Sequence, residues 1–252
     1  MPDLPEDLQR ALSDAADVPR LLVASDFDGT VAPIVSNPAD ARAIPAAADA
    51  LATLAGLEST SAALISGRAL GALRELSGAP ADVHLVGSHG AEFDADFLDA
   101  VDEAAKARLR KLEQTMTALA KRYPGATVET KPVSVALHVR NAAPEHTQEA
   151  LDEALNAVRD WDIHVTEGKA VREFAVIDTD KGAALQQLRE QLGASAVVFF
   201  GDDVTDEKAF KRLTDGDVGV KVGPGETLAR YRVADPADVT AALEFLVRAR
   251  GT

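Results

Sequence analysis

Leu21-Leu22-Val23-Ala24-Ser25-Asp26-Phe27-Asp28-Gly29-Thr30 decides the fold of this 252-residue chain. The apolar run from Leu21 to Ala24, ended by polar residues and a glycine, predicts a strand buried on both faces. Asp26 and Asp28 then stand at its carboxyl end, the edge where open α/β sheets bind ligands. Two carboxylates buried together are costly unless a cation or a proton offsets the charge. The pair therefore predicts a metal site, an acid/base site, or both. Gly29 lets the chain leave the strand sharply.

Outward from this strand, the order is βαβαβ. Pro45 to Ala55 reads as a helix with Gly56 as its C′ residue, and Ala62 to Ile65 as a second buried strand. Ala69 to Leu76 reads as a short helix stopped by Gly78 and Pro80, and Val83 to Val86 as a third strand. The pattern then changes. A long charged helix is expected over Asp99 to Tyr123, and a half-buried alternating strand over Val133 to Val139. Another helix follows over Pro144 to Arg159, then a hairpin of Ile163–Thr166 and Ala170–Phe174 around Glu167-Gly168-Lys169. After that the α/β pattern resumes. Asp180 caps a helix to Leu192, ended by Gly193, and Ala196 to Phe200 is a strongly apolar strand. Thr205 to Leu213 reads as helix, Val218 to Val222 as strand, and Pro236 opens the last helix. The expected fold class is α/β, with a Rossmann-like core built on a parallel sheet (1–94 and 179–252) and an inserted α+β domain (95–178).

Parallel strands place their carboxyl ends on one edge. That edge would collect Asp26 and Asp28, Ser66-Gly67-Arg68, Lys181-Gly182 and Gly201-Asp202-Asp203-Val204-Thr205-Asp206. Singly, these could be caps, turns or a solvated lysine. Together they suit phosphate chemistry at a divalent metal. A hard cation offsets the repulsion between a phosphomonoester and an attacking carboxylate. Ser66 and helix-start N–H groups can bind phosphate oxygens, Lys181 adds fixed positive charge, and one of the first-strand acids should protonate the leaving alkoxide.

Composition narrows the partners. The formal net charge is −15, which repels nucleic acid and makes a local cation useful for any phosphorylated substrate. There are no cysteines, so disulfides, thiolate metal sites and a cysteine nucleophile are out of reach. Residues 1–10 lack the apolar core of a signal peptide, and no run approaches the roughly 20 apolar residues of a membrane helix. The expectation is a cytoplasmic protein with no membrane partner and, with oligomeric state open, a monomer.

These residues resemble the haloacid dehalogenase (HAD) superfamily of phosphatases. Asp26-Phe27-Asp28-Gly29-Thr30 looks like its first motif, Ile65 to Arg68 its second, Lys181-Gly182 its third and Gly201 to Glu207 its fourth. The resemblance implies Asp26 as a nucleophile forming an aspartyl-phosphate and Asp28 as general acid, then base. It implies Mg²⁺ held by Asp26, the Asp28 carbonyl and Asp202, with Asp206 assisting, and phosphate held by Ser66, Gly67 and Lys181. The insertion looks like a cap domain that shields the reaction from water.

A narrower resemblance is to the trehalose-6-phosphate phosphatase family. It rests on the Gly-Asp-Asp-x-Thr-Asp-Glu form of the fourth motif, on Gly87-Ser88-His89-Gly90, on Glu129 to His138, and on Gly168-Lys169 followed by Glu173. It implies sugar contacts from Glu129, Lys131 and Glu173, with Arg68, Arg140 and Asn141 as further candidates, and it admits a trehalose-phosphate synthase as a partner. The chain departs from the family pattern after Glu173, where Ala175-Val176 replace an expected Arg-Pro. The implied activity is Mg²⁺-dependent hydrolysis of trehalose 6-phosphate to trehalose and phosphate. Two alternatives stand beside it: a phosphatase for another sugar phosphate, such as sucrose 6-phosphate or mannosyl-phosphoglycerate, and a sugar-phosphate sensor without turnover.

Overall fold

The computed structural model describes residues 4–94, 103–131, 133–168, 170–177 and 179–251. Two compact units divide the chain, residues 1–95 with 179–252, and residues 96–178.

The first unit is built around the strand that opens the sequence. β1 (Leu21–Ser25) is buried at every position. It pairs in parallel with β2 (Thr60–Ile65) on one side and with β9 (Ala196–Gly201) on the other, Leu21 facing Thr60 and Ala196. The seven-stranded sheet continues outward through β3 (Val83–Gly87) to the two-residue β4 (Glu92–Phe93), and through β10 (Val218–Val222) to β11 (Tyr231–Val233). β4 alone among these runs antiparallel to its neighbour.

Both sheet faces are covered, which is why the central strands read as continuous apolar runs. Leu21, Val23, Leu64, Val198 and Phe200 share one core with the helices α1 (Glu6–Ala16), α2 (Pro45–Gly56) and α8 (Pro236–Arg250). Helix α6 (Lys181–Leu192) packs on β1, β2 and the short α7 (Glu207–Phe210), where Phe210 meets Phe199 edge-on at 5.5 Å. Asp180 caps α6 by accepting from Ala183 N at 2.8 Å, and Gly193 closes it in the left-handed conformation. Asp235 caps α8, with Pro236 in its first turn. Helix α3 (Leu70–Ser77) ends at Gly78, also left-handed.

The second unit carries an antiparallel sheet ordered β5 (Thr127–Thr130), β6 (Ser134–His138), β8 (Val171–Ala175), β7 (His164–Gly168). Helix α4 (Glu103–Ala120) packs on β5, β6 and α5 (Pro144–Ala157). Val135, Leu137 and Phe174 are buried, as are Leu112, Met116 and Ala154 of these helices.

Several expectations need correction. The helix expected over 205–213 shrinks to α7, because Asp206 N closes a turn onto Asp203 O and the Asp217 carboxylate captures Thr214 N at 2.7 Å. Gly56 lies inside α2 rather than at C′, and the extended backbone of Leu57 ends that helix. The long charged helix ends at Ala120, and its expected start at Asp99 falls outside the described residues. The hairpin strands differ from the expectation: Gly168 pairs with Val171, so Glu167 and Gly168 belong to β7 rather than to the turn, and β8 begins one residue later than expected. Lys169 is outside the described residues. β6 is not half-buried: Ser134 is 2% and Ala136 1% exposed. The Ser134 hydroxyl donates to Glu173 at 2.6 Å, so its polarity is satisfied under a neighbouring side chain rather than by water. Helix α1 and strands β4, β5 and β11 had no reading in the sequence.

Candidate active site

Three parallel strands deliver the polar cluster. Asp26 follows β1 and extends its ladder by one bond, Asp26 N donating to Phe200 O at 2.9 Å. Ser66 follows β2 and bonds to Val86 O at 2.8 Å. Asp202 follows β9. These ends line a cavity of about 590 Å³ together with Asp28, Arg68, Lys181 and Thr205.

Lys181, at the first turn of α6, ties the cluster together. Its side chain is 2% exposed, and its ammonium lies 2.9 Å from Asp26 Oδ1 and 2.8 Å from Asp206 Oδ1. The other Asp206 oxygen accepts from Asp202 N at 3.0 Å and Asp203 N at 2.9 Å. Asp206 thus cross-links the 201–206 turn to α6. Burial pushes the Asp26 carboxyl up to about 8; Lys181 opposes this and the Asp206 charge adds to it. Burial also raises Asp202, again with Asp206 adding to it. Burial opposes the Lys181 charge, yet Asp26 and Asp206 outweigh it and hold the amine protonated.

Two glycines make room for these carboxylates. A Cβ on Gly29 (φ +79) would fall on the Asp202 carboxylate, and one on Gly201 would fall on Asp206. Carboxylate oxygens of Asp26, Asp202 and Asp206 all lie within 4.8 Å of one another. An all-oxygen set in which burial raises two of the acids is short of positive charge, which fits a hard divalent cation. The buried Thr205 Oγ1 also lacks a partner among the described residues. The Asp28 side chain is not in this triad.

Asp28 is engaged elsewhere. Arg68 Nε donates to one of its oxygens at 2.6 Å and a terminal nitrogen to the other at 2.7 Å. The Asp28 hydrogen bond is the main reason the guanidinium holds its proton more tightly than usual. Ser66 Oγ accepts from Arg68 N at 3.2 Å. The Gly87-Ser88-His89-Gly90 stretch braces this turn: Ser88 N bonds to Arg68 O at 2.7 Å and His89 N to Ser66 O at 2.9 Å. The His89 ring lies against Gly67 and lines the cavity.

In the second unit, Lys131 Nζ lies 3.0 Å from Glu173 Oε2, and Glu173 also accepts from Ser134. Glu129 bonds to His138 Nε2 at 2.8 Å. Glu129 and Glu173 both face Ala136 across β6, so they share one face of this sheet. Arg140 and Asn141 are exposed in the turn after β6, at the opposite end of that strand from Lys131. The structure does not bring them to the Lys131–Glu173 cluster.

The sequence reading passed over His89 as a site residue, although its motif had been noted. It passed over Thr205, visible in the Asp-rich turn. Ile34 and Val35, exposed apolar residues at the cavity, carried no signal. Lys221 carried none either; it is buried and donates to Asp202 O.

A family model described as trehalose-phosphatase matches residues 24–237. The trehalose-phosphate phosphatase of Mycobacterium marinum is 36% identical over 255 residues, covering 95% of this chain and 65% of that protein. The Mycobacterium leprae protein of the same name is 34% identical over 271 residues, covering 98% and 62%. The chain thus spans just under two thirds of the length of these curated relatives. The crystal form 3 structure of Aspergillus fumigatus trehalose-6-phosphate phosphatase superposes with a TM-score of 0.70 at 26% identity, over 96% of this chain and 97% of that one. Among the described residues, no helix is long and apolar enough to cross a membrane.

Proposed function

The chain belongs to the trehalose-phosphatase family of the HAD superfamily, and from that premise we propose that it hydrolyses trehalose 6-phosphate to trehalose and phosphate. The observation that carries the reading is the buried Asp26–Lys181–Asp206 chain beside Asp202, at one end of a parallel sheet.

Asp26 is the nucleophile. Lys181 fixes one of its oxygens and favours the ionised form, leaving the other oxygen to attack phosphorus. The P–O bond to the sugar breaks as the aspartyl-phosphate forms, and Asp28 gives the departing sugar oxygen its proton. Asp28 then takes a proton from the water that attacks the acyl-phosphate, which releases phosphate and restores Asp26. Ser66 accepts from Arg68 N, which leaves its O–H to donate to a phosphate oxygen, beside the Gly67 and Lys181 groups. Arg68 orients Asp28 and is the group for which an incoming phosphate dianion competes. Asp26, Asp202 and the Asp28 carbonyl would hold Mg²⁺, with Asp206 supporting the Asp202 turn. When bound, the ion supplies the positive charge that lets a dianion meet a carboxylate.

The inserted unit supplies sugar recognition in this reading. The Lys131–Glu173 pair, with Glu129 on the same sheet face, offers charged donors and acceptors suited to the hydroxyls of a neutral disaccharide.

The test is phosphate release from trehalose 6-phosphate, sucrose 6-phosphate, glucose 6-phosphate and an aryl phosphate, with Mg²⁺ and with chelator. The expected result is a Mg²⁺-dependent preference for trehalose 6-phosphate that Asp26→Asn abolishes. Equal release across the panel would remove the substrate assignment, and release unaffected by Asp26→Asn would remove the mechanism.

A further inference from the structure

Lys221 is a second buried cation beside the carboxylate cluster, 4% exposed at the fourth position of β10. It pairs in register with Gly201 of β9. Its ammonium donates to two main-chain carbonyls, that of Asp202 and that of Val222 at 3.1 Å. Among the described residues no carboxylate forms an ion pair with it. A buried ammonium satisfied only by main-chain carbonyls is costly, and one of those carbonyls belongs to Asp202, a member of the Asp26, Asp202 and Asp206 carboxylate group.

The position of the contact matters as much as the charge. Asp202 N–H donates to Asp206 Oδ2 at 3.0 Å, and Asp202 C=O accepts from Lys221. The peptide groups on both sides of the Asp202 Cα are therefore held. Its carboxylate is directed onto the bare backbone of Gly29 and into the cavity. Lys181 occupies ligand oxygens of the cluster directly, whereas Lys221 touches none of them. It contributes charge and backbone order while leaving the Asp202 oxygens to a metal.

We propose that Lys221 is a positioning residue for the cation site, its ammonium fixing the Asp202 main chain so that the Asp202 carboxylate is presented with Asp26 to a divalent ion. The proposal rests on the Mg²⁺ reading above and adds a residue outside the triad to it. Partners that orient metal ligands typically alter metal affinity or activity by roughly 10–100-fold when lost. A substrate-binding role would raise KM instead.

The experiment is calorimetric titration of the full chain with Mg²⁺, without substrate, for wild type, Asp202→Asn and Lys221→Met, with thermal melts of each. Lys221→Met should melt cooperatively, bind Mg²⁺ roughly 10–100-fold more weakly, and recover much of its kcat at saturating Mg²⁺ with KM for substrate unchanged. Because the chain has no cysteine, Lys221→Cys aminoethylated in denaturant and refolded restores an ammonium at that site alone, and should restore Mg²⁺ affinity. Should Lys221→Met not fold, Lys221→Gln takes its place, with the same expected loss and rescue. Wild-type Mg²⁺ affinity in the neutral variant overturns the proposal while leaving the metal site standing. Wild-type protein that binds no Mg²⁺ overturns the metal reading, and this proposal with it.

Discussion

Arg68 holds both carboxylate oxygens of Asp28, at 2.6 and 2.7 Å. The residue assigned to move protons is thereby oriented at the cavity, with each of its oxygens accepting from the guanidinium. Asp28→Asn keeps the size of the side chain, loses the proton transfer and presents an amide to a donor-only guanidinium. Its kcat should fall about 10²-fold or more, with Mg²⁺ affinity retained. Single-turnover phosphate release beside metal titration checks both, and unchanged turnover would remove Asp28 from the acid/base role.

Asp26 makes stability depend on pH in the metal-free protein. Its native carboxyl, pushed up to about 8 by burial, binds a proton that the unfolded chain releases near the ordinary aspartate range. The folded state therefore binds more protons between those two values, and stability falls as pH rises through that window. Asp26→Asn removes this contribution. Urea unfolding in chelator at pH 5 and pH 8.5 should show the variant gaining on wild type at the higher pH. A constant difference between them would contradict the sign.

Gly29→Ala should cripple the site while sparing the fold. The new methyl would fall on the Asp202 carboxylate, at a backbone angle of φ +79 that side-chain-bearing residues rarely adopt. The expected outcome is Mg²⁺ binding weakened at least about tenfold, on the scale seen when metal-site neighbours are disturbed, with far-UV circular dichroism unchanged. Normal metal affinity would show that the turn can move aside without cost.

Lys131→Ala and Glu129→Ala should separate sugar recognition from phosphoryl chemistry. Each charged hydrogen bond contributes about 1.5–3 kcal/mol, so kcat/KM for trehalose 6-phosphate should fall roughly ten- to hundredfold. Turnover of a small aryl phosphate should hold. Equal losses on both substrates would place these residues outside sugar recognition.

The first unit was more legible in sequence than the inserted unit, for physical reasons. β1, β2 and β9 are buried on both faces, so their apolar runs stand out, and the polar residues that end them must lie on one edge. Asp26, Ser66, Lys181 and Asp202 could be read as neighbours from topology alone. Lys221 could not, because a lysine inside Val-Gly-Val-Lys-Val gives no sign that its amine turns toward a neighbouring strand's carbonyl. The Arg68–Asp28 pair was equally hidden, since two residues forty positions apart meet only through side-chain rotamers. β5 was invisible because Thr-Val-Glu-Thr has little apolar content and three of its four residues are exposed. The burial of β6 was not legible because alternation reports polarity, and a polar group such as the Ser134 hydroxyl, satisfied by Glu173, can be as buried as a valine.

β9 lies beside β1, yet the whole inserted unit separates them in the chain. Domains tend to fold as units while the chain emerges from the ribosome. The inserted unit is continuous and can complete its own sheet as soon as it is made. The first unit cannot, because β1 must wait with one edge open until β9 arrives, and open edges invite mispairing. Lys181, Asp202 and Asp206 all come after the insertion. Asp26 is thus among the earliest parts of the core to be synthesised and among the last to gain its neighbours, so a chain truncated ahead of α6 carries Asp26 without the lysine and carboxylates that surround it.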